Sequence, residues 1–71
     1  MDNYIVKVWT WSNRNKGKIY GPDFIFSDIS AENPELALRK VLQENKINYR
    51  VYAEVIWNNE LDRQKFEDYS L

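Results

Sequence analysis

The chain has no cysteine and no histidine, and only two glycines and two prolines in 71 residues. Without cysteine there is no disulfide to support so small a fold, which fits a reducing compartment. Without cysteine and histidine the usual ligand sets for zinc, iron–sulfur clusters and haem are missing. So are the Ser–His and Cys–His pairs of nucleophilic catalysis. Charge of one sign is also lacking, since ten Lys and Arg stand against eleven Asp and Glu. A chain built mainly to hold phosphates carries a basic excess, so that balance argues against non-specific nucleic-acid binding. No apolar run approaches the roughly 18 residues of a membrane span, and no signal-peptide pattern is present. These absences predict a soluble, cytoplasmic, non-enzymatic protein with no cofactor and no bound metal.

What remains is a chain rich in hydrophobic and aromatic residues, 44% and 15%. That argues against disorder. Residues 1–71 form one small α+β domain on this reading, in which about 60% of the unfolded surface becomes buried. The lean toward Asn, Lys, Ile and Tyr is that of an AT-rich genome, an association shared with accessory proteins of phages and mobile elements.

Tyr4 to Trp11, "YIVKVWTW", has the β-branched and aromatic content of a strand. "SNRNKGK" from Ser12 to Lys18 is hairpin-loop chemistry. In "KIYGPDFIFSDIS", Pro22 cannot donate to a ladder. Two readings stand: one strand from Lys18, kinked at Gly21-Pro22, or pairing limited to residues 23–29. The kinked strand is preferred.

Asn33 is suited to cap a helix, Pro34 to begin one and Glu35 to meet its dipole. Ala37, Leu38, Val41 and Leu42 then form an apolar stripe. "YRVYAEVIW" from Tyr49 to Trp57 is a third strand, with its odd positions assigned to the helix. Leu61, Phe66 and Tyr69, at roughly helical spacing among charges, predict a short C-terminal helix. The expected architecture is a two-layer α+β sandwich in β-β-α-β(-α) order. It has a three-stranded, mainly antiparallel sheet with strands at about 3–11, 18–28 and 49–58. Helices fall at about 33–46 and 60–69.

The first strand raises the functional question, because both of its faces are apolar. If Tyr4, Val6 and Val8 meet the helix, Ile5, Lys7, Trp9 and Trp11 lie opposite, beside Arg50, Tyr52, Glu54 and Ile56. Such a patch needs a cover. The C-terminal helix could fold over it, another protein or a second copy could bind it, or nucleic acid could stack on it. The protein reading assigns partner contact to Lys7, Trp9, Trp11, Arg50, Tyr52 and Ile56, whose aromatic centre and charged rim suit an interface. The exposed strand edge near Pro22 is its second route. The nucleic-acid alternative adds Arg14, Lys16 and Lys18 of the hairpin loop to those rings. The carboxylates Asp23 and Asp28, flanking the second strand, and Glu60, Asp62, Glu67 and Asp68 in the tail match no metal-binding loop and have no nucleophile beside them, and the tail acids read as a solvated helix face.

Overall fold

The computed structural model describes residues 1–14 and 21–71. Its elements are β1 (Asp2–Thr10), a 3-10 turn (Trp11–Asn13), β2 (Phe24–Ala31), α1 (Pro34–Glu44), β3 (Val51–Trp57) and β4 (Asp62–Tyr69). The strands form one sheet in the order β2-β1-β3-β4, with every neighbouring pair antiparallel. Because β2 and β3 both run against β1, they are parallel to each other, and α1 carries the chain across β1 between them.

The helix is specified locally at both ends. The Asn33 side chain accepts from the Leu36 amide at 2.9 Å, and Pro34 follows where no amide is needed. At the other end the Ile47 amide reaches the Leu42 carbonyl at 2.8 Å and the Lys46 amide reaches the Gln43 carbonyl at 3.3 Å. Together these are the two bonds of a Schellman stop, and they turn Ile47 back into the core. Lys46 holds the left-handed position, φ 56°, that glycine usually fills.

Ala37, Leu38, Val41 and Leu42 are buried against one side of the sheet. Tyr4, Val6 and Val8 of β1 and Val51, Ala53 and Val55 of β3 face them, as the alternation in both segments predicts. Tyr4 meets Trp57 edge to face, with ring centres 6.0 Å apart.

Three expectations are corrected here. The segment expected as a C-terminal helix is β4, a fourth strand hydrogen-bonded to β3. The misleading spacing comes from a bulge. Val51 pairs with Tyr69 and Ala53 with Phe66, so Glu67 and Asp68 share the place opposite Tyr52. Phe66 and Tyr69 therefore lie three residues apart yet both pack on the core, mimicking helical periodicity within a strand. Leu61 belongs to the turn and is exposed.

Second, β2 begins at Phe24, so the stretch through Gly21-Pro22 is not strand; the first part of the expected kinked strand, residues 18–20, lies outside the described residues. A bulge does occur in β2, farther along, where Ser27 and Asp28 lie opposite Ile5. It keeps Phe26 and Ile29 both on the helix side and sets Asp28 at φ 57°. Third, Trp11 and Arg50 lie just beyond the ends of β1 and β3 rather than within them. No helix among the described residues is long and apolar enough to cross a membrane.

A left-handed backbone costs a side-chain-bearing residue about 1–2 kcal/mol, part of which glycine returns to the unfolded chain as entropy. Lys46→Gly is therefore expected to raise unfolding stability by about 0.5–1 kcal/mol. Urea unfolding followed by circular dichroism measures it, and a loss of stability would show that the lysine side chain contributes more than its strained backbone costs.

Candidate functional site

The sheet face away from α1 receives Ile5, Lys7 and Trp9 from β1, Tyr52, Glu54 and Ile56 from β3, Ile25 from β2, and Arg63 and Lys65 from β4. The residues that the sequence assigns to a partner are thus brought together in part. Trp9 and Tyr52 are direct cross-strand partners with ring centres 5.0 Å apart, and Ile56 pairs with Ile5.

These side chains are not open to solvent, which corrects their assignment as exposed contacts. Trp9 is 4% exposed, Tyr52 6% and Ile56 1%. Trp9 and Tyr52 pack ring against ring, and Ile56 sits directly across from Ile5. The Tyr52 hydroxyl donates to Glu54 Oε2 at 3.1 Å, and Arg63 Nη1 donates to Glu54 Oε1 at 3.3 Å. The result is a phenol, a carboxylate and a guanidinium in one connected layer. The Trp9 indole nitrogen is buried with no partner, so packing alone holds that ring. Burial and the neighbouring Glu54 push the Tyr52 phenol up to about 12 from its ordinary value near 10.

Trp11 stands apart from this layer. The guanidinium carbons of Arg14 and Arg50 each lie 4.0 Å from its ring centre. Arg50 is in turn held by Asp68 through two 2.9 Å bonds. This exposed pair raises the Arg50 pKa and lowers that of Asp68, each mainly through the hydrogen bonds between them. The cluster closes the end of the sheet with cation–π contact and leaves Trp11 half-buried. Arg14, expected as part of a basic tip, is turned inward to it, while Lys16 and Lys18 lie outside the described residues. Lys7 is half-buried between Ile25 and Glu54.

Among the carboxylates, Asp23 has a local structural task. Its two oxygens accept from the Thr10 amide at 2.8 Å and from Asn13 Nδ2 at 3.0 Å, tying the end of β1 to the approach of β2. The bond from the Thr10 amide is the main cause of its lowered pKa. Asp28 and Glu60 line an open recess of about 210 Å³ with Asn3, Asn58 and Asn59. Among the described residues, no group of three or more His, Cys, Asp or Glu could hold a metal ion.

A different feature emerges at the two outer strands. β4, "DRQKFEDY", carries five charged residues in eight, the pattern that protects a free edge from pairing. β2, "FIFSDISA", carries one. Phe24 and Phe26 stack with ring centres 6.2 Å and planes 18° apart on the helix side, and Ile25 projects from the opposite face. Phe24 is 39% exposed and Ile25 58%. Among the described residues no strand pairs with the outer side of β2. The uncharged run Phe24–Phe26 is visible in the sequence; its edge position is a product of strand order. Comparison with protein-family models, curated proteins and solved structures finds no match.

Two expected outcomes follow from the burial pattern. Trp9→Ala should lower unfolding stability by about 3–5 kcal/mol, and Trp11→Ala by about 1 kcal/mol or less. Chemical unfolding of both variants checks this, and equal losses would contradict the separation of the two indoles. For Tyr52, the folded pKa lies above the unfolded one, so its contribution is complete below pH 10 and is lost as pH rises through 10 to 12. The stability of the wild type relative to Tyr52→Phe should fall by about 1.4 kcal/mol per pH unit across that window. A pH-independent difference would remove the titration.

Proposed function

We propose that this chain is a small non-enzymatic protein-binding domain, and that its contact surface is the outer edge of β2. The observation that carries the reading is the contrast between the two outer strands. One is covered with charge along its length, and the other presents Phe24 and Ile25 to solvent beside backbone groups that no described strand satisfies. Strand addition uses such an edge: main-chain hydrogen bonds supply attachment, and the side chains alternating across the two faces supply selectivity. Phe26 and Phe24 would line the helix side of the contact and Ile25 the other. Trp9, Tyr52 and Ile56 then act as the layer that keeps the sheet rigid behind the edge, not as anchors.

The stacking mode of nucleic-acid binding has less to work with. Trp9 and Tyr52 are buried, and a base approaching Trp11 meets two guanidinium groups already on the ring. Arg14 and Arg50 are engaged on the Trp11 ring, and Lys7 is half-buried.

The test is a titration of the 15N-labelled protein with a panel of extended apolar peptides. Amide shift changes should concentrate on residues 23–27 and be absent from β4, and Ile25→Lys should abolish them. Because Ile25 is exposed, that variant should retain wild-type stability to within about 0.5 kcal/mol. Shift changes centred on Trp11, Arg14 and Arg50 would instead overturn the edge reading.

A further inference from the structure

We infer that the strand completing the β2 edge is a second copy of β2, paired about a two-fold axis that passes through Ile25. The inference rests on the edge reading above and adds the partner and the register.

In an antiparallel ladder, alternate residues turn their N–H and C=O groups to the same side. On β2 one set serves β1 and the other set points outward. Two copies of one strand related by a two-fold axis can therefore pair only when the axis passes through a residue, so that outward groups meet outward groups. The Thr10 amide reaches Asp23 on the β2 side, so Val8 and Val6, of the same set, serve Phe24 and Phe26, and Asp23, Ile25 and Ser27 turn outward. Ile25 is the middle one of these three. Centred there, Asp23 of one copy falls opposite Ser27 of the other, and the bulge at Asp28, φ 57°, ends the ladder beyond Ser27.

The side chains select the same register. With Ile25 on the axis, Phe24 meets Phe26 of the second copy and Phe26 meets its Phe24. Ile25 meets itself, and Asp23 meets Ser27. No carboxylate faces another. Moving the axis to Phe26 sets Phe24 against Asp28, and moving it to Phe24 sets Asp23 against Ile25. The axis stands perpendicular to the sheet, so both stacked phenylalanine pairs remain on the helix side and both isoleucines on the other.

A copy also accounts for closure. Head-to-tail pairing of β2 with β4 would repeat without end and would set Phe24–Phe26 against a strand with five charges. The two-fold pairing stops at an eight-stranded sheet with charged β4 at both outer edges. So short a ladder belongs with small, weak interfaces, below about 1,200 Å² in total.

The absence of cysteine makes the register directly testable. Directly opposed residues of an antiparallel pair have Cα atoms about 4.5–5.5 Å apart, inside the disulfide window. Ile25→Cys, oxidised in a glutathione buffer, should cross-link to a dimer at least tenfold faster than Lys65→Cys on β4. The wild-type mass by light scattering should rise from 8.6 kDa toward twice that value with concentration. Ile25→Lys, which opposes two ammonium groups on the axis, should stay at the monomer mass while keeping its circular dichroism. Equal cross-linking rates, or a wild-type monomer at millimolar concentration, would overturn the second copy. If β2 still takes apolar peptides in that case, the edge reading stands and only the partner is wrong. If it takes none, both fall.

Discussion

A strand offers its side chains alternately to two sides, and a single short helix can shelter only one of them. Every other feature of this molecule answers that constraint. The helix side is filled by aliphatic groups from α1, β1 and β3, all of them buried. In the outer strands the alternation alone would turn Ile29 and Tyr69 away from the helix. One extra residue in β2 and one in β4 restores the phase, so that Phe26 with Ile29 and Phe66 with Tyr69 return to the core. The bulges are thus the means by which the four described strands share α1.

Among the described residues, the far side of the sheet meets the same constraint without a second layer of secondary structure. Trp9, Tyr52 and Ile56 are closed from water on a face that α1 never touches. Their neighbours are polar at the tip and apolar along the stem, and Glu54 joins Tyr52 to Arg63 across the strands. Rings that look like partner anchors in the linear chain are therefore part of the stabilising interior. The same economy governs the end of the sheet, where Trp11 is held by two arginines and Asp68 neutralises one of them.

With both faces occupied, the edges become the decisive surfaces. Their unlike character comes from local composition: five charges on β4 against one on β2. Charge on a free edge stabilises the monomer against indiscriminate pairing, and its near absence leaves β2 without that protection. The β2 bulge serves two ends here. It returns Ile29 to the core, and it limits the length of edge that another strand can use.

Much of the local structure was legible in the residues alone. Asn33, Pro34 and the stripe from Ala37 to Leu42 define the helix and its buried side, and the alternation in residues 4–8 and 51–57 assigns two strands to that helix. Those signals act between neighbours in sequence, through capping, dihedral preference and side-chain period, so no knowledge of the whole fold is needed to read them. The fourth strand, the burial of Trp9, Tyr52 and Ile56, and the exposure of Phe24 and Ile25 were not legible. Each depends on which strand lies beside which. A bulge disguises the spacing of Phe66 and Tyr69, cross-strand contact closes the far face, and only strand order makes "FIF" an edge. Residue order alone fixes which segments are apolar and where the helix starts and stops; which apolar groups face water follows from the fold, because exposure belongs to neighbours brought from distant parts of the chain.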